Sequence, residues 1–292
     1  GITLADVWRE HVEAIRRNGL VIEKDGAEET VKVAACLPDE LAGTLPGPVD
    51  LILVFTKTMF TEKALEPIKP FIGPETVMMT LQNGLGNIER LAAFVPETRI
   101  IAGVTTNPCD LIGPGRIRMT GQGDTKIMTA AGGRTPMLET IAEALGKAGL
   151  DGQIAPDVLV IIWEKAAFNA AMNGMTSVTG MVVGAVGASK EGLGLARSII
   201  EEAGAVANAK GIAFDVERVW STAMMAFREH AHHMPSMLQD RLARRMTEVG
   251  SIQGGIVKGG LETGVPTPVT KVIYDLVRTI EQAYDWEDVT HR

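Results

Sequence analysis

Lys165, Asn169 and Asn173 recur at i, i+4 and i+8 in an otherwise apolar run that begins Trp163-Glu164-Lys165, a spacing that puts all three on one face of a helix. Lysine is seldom buried without a partner, so an ammonium continued by two amides among apolar neighbours points to chemistry as well as packing. A desolvated ammonium near a carboxylate suits the protonation of a ketone oxygen as it becomes an alkoxide, and Glu248, in Thr247-Glu248, is the candidate carboxylate. Ser236, in Ser236-Met-Leu-Gln-Asp240, follows Pro235 and precedes a helix-like run. Its hydroxyl suits either an N-cap or a bond to a substrate carboxylate. No Gly-x-Ser-x-Gly elbow surrounds it, which argues against a serine hydrolase. His230, His232 and His233 cluster without companion cysteines or carboxylates, so no metal centre is expected.

Two kinds of scaffold must position these groups. The first half alternates short apolar runs with helix-like segments, which predicts strands joined by crossover helices into a largely parallel sheet. Strands are expected at Ile2–Ala5, Asp50–Lys57 (the clearest buried strand), Thr76–Leu81 and Arg99–Val104, with further strand-like runs around Met119 and Ile127. Leu20–Glu23 and Thr30–Ala34 read as a hairpin around Asp25-Gly26, and helices are expected over Trp8–Arg17, Thr61–Lys69, from Asn87 and over Pro136–Ala148. From Asp157 onward helical periodicity replaces alternation, predicting an all-α second domain. The turn-rich stretch Gly149–Pro156 is the expected linker, which gives domains of 1–155 and 156–292.

In an open α/β sheet ligands bind at the carboxyl ends of the strands, where Asp6, Lys57 and Asn83 fall. An acid that ends the second strand of a dinucleotide-binding unit accepts from an adenosine ribose and favours NAD over NADP, yet Asp6 equally suits an N-cap for the helix at Trp8. Lys57 suits a phosphate, a ribose or a plain surface position. In Leu81-Gln-Asn83-Gly-Leu-Gly-Asn87 a strand end and two glycines precede a helix start, so backbone and amide donors can approach a ligand closely.

The 292 residues, 46% of them hydrophobic, are enough for two cored domains, and a formal charge of −8 argues against a nucleic-acid partner. The two cysteines, Cys36 and Cys109, are too few for a disulfide framework and fit a reducing cytoplasm. The apolar stretch from Val158 to Val186 is interrupted by Glu164, Lys165, Asn169 and Asn173, which predicts a buried core helix and no membrane span.

Taken together, the ordered segments Val54-Phe-Thr-Lys57, Leu81-Gln-Asn-Gly-Leu-Gly86, Gly103-Val-Thr-Thr106, Pro114-Gly115, Trp163-Glu-Lys165 with Asn169 and Asn173, Ser236-Met-Leu-Gln-Asp240 and Thr247-Glu248 resemble the ketopantoate reductase family over nearly the whole chain. The resemblance implies a Rossmann-like domain followed by a helical domain of the 6-phosphogluconate dehydrogenase C-terminal type. It also implies reduction of 2-dehydropantoate or a similar 2-oxo acid, as in pantothenate biosynthesis, by hydride from NADPH or NADH. On that resemblance Lys165 is the general acid, and Glu248 holds it and contacts the cofactor or the new hydroxyl. Asn169, Asn173 and Ser236 orient the substrate, Asn83 bridges substrate and cofactor, and Lys57 and the backbone at Cys109 lie along the dinucleotide. The expected partner is a small 2-oxo acid, with neither membrane nor nucleic acid, and homodimerisation through the helical domain is compatible with the sequence.

Some positions depart from the family pattern. Asn173-Gly174 stands where Asn-Pro is usual, Val183 and His233 replace asparagines, and Gly250 replaces an acid two residues after Glu248. These changes fall around the acyl group of a substrate, so 2-oxo-acid reduction is a firmer expectation than ketopantoate itself. Asp6 departs as well, because a member that prefers NADP would carry arginine near that strand end, and Arg9 compensates only in part. The glycine-rich loop with which the family opens is absent before Gly1, so a fragment with weak cofactor binding, exposed strand edges and poor solubility is expected. Two alternatives remain at this level: another 3-hydroxyacid or opine-type dehydrogenase, and a non-catalytic ligand-binding scaffold.

Overall fold

The computed structural model describes residues 1–286 and divides into two compact units. The first comprises Gly1–Thr56, Phe60–Leu81 and Ile88–Val158, and the second Lys57–Met59, Gln82–Asn87 and Leu159 onward. Two short segments that follow strands of the first unit therefore group with the helical one.

In chain order the first unit carries β1 (Thr3–Ala5), α1 (Arg9–Asn18), β2 (Leu20–Lys24), β3 (Ala27–Val31), β4 (Ala34–Cys36), α2 (Leu41–Thr44), β5 (Leu51–Val54), α3 (Thr61–Leu65), β6 (Val77–Thr80) and α4 (Asn87–Ala92). It continues through β7 (Ile100–Thr105), β8 (Cys109–Gly113), β9 (Arg116–Met119), β10 (Thr125–Thr129), α5 (Pro136–Lys147) and β11 (Gly152–Ile154). The main sheet has the order β11-β10-β7-β6-β5 and is parallel except where β10 meets β7. β1 and β4 form a separate parallel pair, and β3-β2-β9-β8 a third, mixed sheet. Ile52, Val54, Leu65, Met78, Leu91, Val95 and Ile100 make the core beneath the main sheet.

Four local expectations change. β5 is an edge strand with one covered face: Ile52 and Val54 enter the core, while Leu53 and Phe55 are 48% and 62% exposed. An unbroken apolar run does not by itself show that both faces are covered. The hairpin's second arm is β3, turned at Asp25 (φ 51°) and Gly26 (φ 78°), and Ala34 opens β4, which pairs with β1. α3 gives way after Leu65 to a 3₁₀ stretch, because Pro67 and Pro70 lack the N–H that continues an α-helix. The expected linker contains β11, which pairs with β10 in the sheet.

The second unit is helical: α6 (Val158–Thr179), α7 (Val183–Gly187), α8 (Lys190–Ala209), α9 (Val216–Glu229), α10 (Ser236–Leu242), α11 (Gln253–Thr263) and α12 (Pro268–Gln282). α6 is its axis. Ala166, Ala167, Ala170 and Ala171 are almost completely buried there, and alanine is both the strongest helix former and small enough to let neighbouring helices approach. None of the described helices is long and apolar enough to cross a membrane.

α12 has no side-chain cap of its own at Thr267. Glu202 of α8 supplies one from outside, accepting from the backbone N–H groups of Val269 and Thr270 (2.8 Å each) and from the Thr270 hydroxyl (2.6 Å). The carboxylate thus satisfies orphan donors of the first turn and faces the positive end of the helix dipole. Glu202→Ala is expected to destabilise the protein by about 1–2 kcal/mol in urea denaturation. An unchanged midpoint contradicts the capping role.

Candidate active site

Glu248 lies in the irregular segment between α10 and α11, and the two short segments that group with the helical unit reach its carboxylate. Oε1 is 3.5 Å from both the backbone nitrogen and the hydroxyl of Thr58, and Oε2 is 3.4 Å from the Asn83 amide nitrogen. The Thr58 hydroxyl has one proton and is nearer the Asn83 carbonyl, at 3.2 Å. The Thr58 N–H and the Asn83 amide therefore donate to the carboxylate. Both contacts are long for charge-assisted bonds, which run at about 2.7–2.9 Å.

Burial pushes the Glu248 carboxyl above the usual carboxylate range, and proximity to Asp240 adds to that shift. Asn83, the Thr58 N–H and the charge of Lys57 act in the opposite sense, but burial dominates.

Lys57 is itself fixed. Its ammonium is 2.5 Å from Asp240 Oδ2 and donates to the Met246 carbonyl at 3.2 Å. Asp240, only 6% exposed, also accepts from Arg245 Nε at 3.0 Å, and its carbonyl accepts the Arg245 N–H at 2.8 Å. One buried carboxylate thereby holds two cations and one end of the segment that leads to Glu248.

The glycine-rich loop completes this arrangement. Gly84 has φ +86°, and a Cβ there would sit 2.6 Å from the Ser251 carbonyl oxygen. Leu85 N–H donates to that same oxygen at 2.8 Å. The loop thus packs backbone against backbone onto the turn after Glu248, which only glycine allows.

Lys165 and Asn169 are half-buried and Asn173 is buried, all on α6. Thr58 and Asn83 are among the partners of the Glu248 carboxylate. Gly174 occupies a tight position: a Cβ would lie 2.5 Å from Gln253 Nε2 and 2.6 Å from Ile273 Cγ2. That amide donates to the Ala170 carbonyl at 3.0 Å, so proline at 174 is incompatible with the Gln253 bond. Ser236 is the first residue of α10, with Pro235 at the N-cap position and no side-chain capping bond, so its exposed hydroxyl does not cap the helix.

In the first unit Asp6 follows β1 and is exposed, with Oδ1 accepting the Trp8 N–H at 2.7 Å. Cys109 opens β8, paired with Met119, and is also exposed. Sequence reasoning missed Thr58 as a neighbour of the cluster, and it named the segment ending in Asp240 without giving that acid a role. Position after Lys57 at a strand end was the available signal for the first, and i+4 spacing from Ser236 for the second. Among the described residues no group of three or more His, Cys, Asp or Glu side chains is arranged to hold a metal ion.

The folded-state pKa of Glu248 lies above its unfolded value, so the stabilising effect of burying the neutral acid is complete below about pH 4.3 and is lost as pH rises through the folded pKa. Glutamine cannot ionise. The melting temperature of Glu248→Gln relative to the parent is therefore expected to rise as pH is raised from 4 to 8, and a difference independent of pH contradicts it.

Two family profiles match: "Ketopantoate reductase PanE/ApbA" over residues 1–132 and "Ketopantoate reductase PanE/ApbA C terminal" over residues 157–281. The 2-dehydropantoate 2-reductase of Streptococcus pyogenes serotype M18 (strain MGAS8232) is 34% identical over 281 residues, covering 96% of this chain and 90% of that protein. Among solved structures, D-mandelate dehydrogenase with NADH and anilino(oxo)acetate superposes with a TM-score of 0.89 at 30% identity, covering 97% of this chain and 91% of the other. The 2-dehydropantoate 2-reductase of Geobacter metallireducens GS-15 superposes with a TM-score of 0.83 at 29% identity, covering 94% and 91%. Matched profiles over both halves, a relative of this identity along nearly the full length, and the same two-part fold place the chain in the ketopantoate reductase PanE/ApbA family.

Proposed function

We propose that the protein is a nicotinamide-dependent reductase that converts 2-dehydropantoate, or a close branched 2-oxo acid, to the 2-hydroxy acid. In this reading residues 1–155 form the dinucleotide-binding domain and 156–292 the substrate and catalytic domain. The observation that carries it is the half-buried Glu248 carboxylate, held by Asn83 and Thr58 in the same helical unit as the Lys165, Asn169 and Asn173 face of α6. Family membership and the relatives' names support the substrate class.

When bound, the nicotinamide supplies hydride to the oxo carbon. Negative charge then develops on the carbonyl oxygen, and the Lys165 ammonium donates a proton to it, stabilising the transition state more than the ground state. Glu248 contacts the new hydroxyl and keeps the local charge favourable to a protonated lysine. Asn169, Asn173 and the uncommitted Ser236 hydroxyl orient the acyl and carboxylate groups, and Asn83 spans substrate and cofactor. Lys57, held in place by Asp240, and the backbone at Cys109 line the dinucleotide.

Asp6 fits NAD better than NADP. Its exposed carboxylate commits Oδ1 to Trp8 N–H and leaves Oδ2 to accept from a ribose hydroxyl, whereas a 2′-phosphate would meet like charge. The NADH-bound mandelate dehydrogenase relative agrees with this preference. A second substrate reading, a 2-oxo acid with a bulky apolar substituent, is favoured by Val183 in place of an expected asparagine and by the same relative. Comparing kcat/KM for 2-dehydropantoate and phenyl-substituted oxoacetate separates the two.

Lys165→Ala is expected to lower kcat by roughly 10²–10⁴-fold with the fold retained by circular dichroism. Near-normal turnover refutes the acid role. Asp6→Ala is expected to raise KM for NADH more than for NADPH, and equal changes discard the ribose assignment.

A further inference from the structure

Glu281 stands near the end of α12, 5% exposed as a residue and with its side chain almost wholly enclosed. Carboxylates are rarely buried to this degree unless their charge is fully engaged. Oε2 accepts from Arg278 one turn earlier, at 2.6 Å, and Oε1 accepts from the backbone N–H of Thr247, also at 2.6 Å. The second bond leaves α12 and ends on the residue before Glu248.

We infer that Glu281 is a positioning residue for Glu248, holding the backbone of Thr247 so that the neighbouring carboxylate is delivered to Thr58 and Asn83. The inference rests on the catalytic reading of Glu248 given above.

Magnitudes decide which contacts set the position. The Thr58 and Asn83 bonds to the Glu248 carboxylate are 3.4–3.5 Å, too long to anchor a backbone segment, whereas the Glu281 contact is short and charge-assisted. Thr247 passes the restraint onward. Its hydroxyl accepts the Val249 N–H at 3.2 Å, and the Glu248 carbonyl accepts from Ser251 and Ile252 N–H at 3.1 and 3.0 Å. Residues on both sides of Glu248 are therefore pinned, leaving its side chain as the main remaining freedom.

A purely structural role, docking α12 onto the unit, has other agents. Ile273 and Val277 bury that face, and Glu202 caps the helix start. The groups that face Glu281 include Arg278 and Tyr284, whose hydroxyl donates to the Arg245 carbonyl, and the charges that act on Glu248 include Lys57 and Asp240.

The test titrates the Glu248 carboxyl by ¹³C NMR in the full chain and its variants, beside kcat, KM and the pH profile of turnover. In Glu281→Ala the segment loosens and water reaches Glu248. Its titration, and the acid limb of kcat, are expected to move down toward the ordinary carboxylate range, with kcat reduced roughly 10–100-fold and KM for the oxo acid changed far less. Glu281→Gln keeps an oxygen for the Thr247 N–H and is expected to recover most of both. Should Glu281→Ala fail to fold, Glu281→Leu removes the acceptor while filling the space. A folded variant lacking the acceptor whose Glu248 titrates as in the parent overturns the inference. Full turnover in Glu248→Gln instead defeats the catalytic reading, and the NMR titration still judges the positioning.

Discussion

A carboxylate partly withdrawn from water is costly, and Glu248 is in that position, with a backbone N–H and a side-chain amide donating to it at long range. Burial wins over those donors, so the group sits above the ordinary carboxylate range. The neighbouring structure limits this effect without abolishing it. Lys57 provides positive charge, and Asp240 both anchors that lysine and offsets its influence.

Precision around that group comes from backbone contacts more than from side chains. Gly84 lets one loop touch the Ser251 carbonyl, Asp240 holds the backbone of Arg245, and Glu281 holds that of Thr247. These restraints come from α10, α12 and the loop after β6, so the site's geometry depends on how the helical unit packs. Its alanine-rich axis, α6, permits close packing, and the Gly174–Gln253 contact shows how one departure from the family pattern is tied to another residue far along the chain. Val183, a second departure, is 2% exposed in the same core and donates its N–H to the His233 carbonyl. The two substituted asparagine positions are thus joined by a backbone bond.

Much of the architecture was legible in local pattern. The α5 helix begins at Pro136 behind the Thr135 cap, the Asp25-Gly26 turn makes its hairpin, and helical periodicity governs the second unit. Errors arose where pattern is silent about neighbours. The run from Leu51 reads as doubly buried, but an edge strand has one covered face. Ser236 after a proline suits either a cap or a substrate contact, and only the folded helix, which starts on the serine itself, removes the first. β11 hides in a turn-rich stretch because three residues are too few to show alternation.

From the sequence alone came the chemical inventory: a lysine and two asparagines on one helix face, an acid after Thr247, and amides and glycines at a strand end. Side-chain type and helical period determine these, and neither requires knowledge of distant contacts. Which groups meet was decided by tertiary structure. Glu248 is 165 residues from Asn83 and 190 from Thr58, and Thr247 is 34 from Glu281, separations across which no local spacing carries information. The protonation of Glu248 follows the same logic, because desolvation is a property of everything packed around a group and not of the residues beside it in the chain.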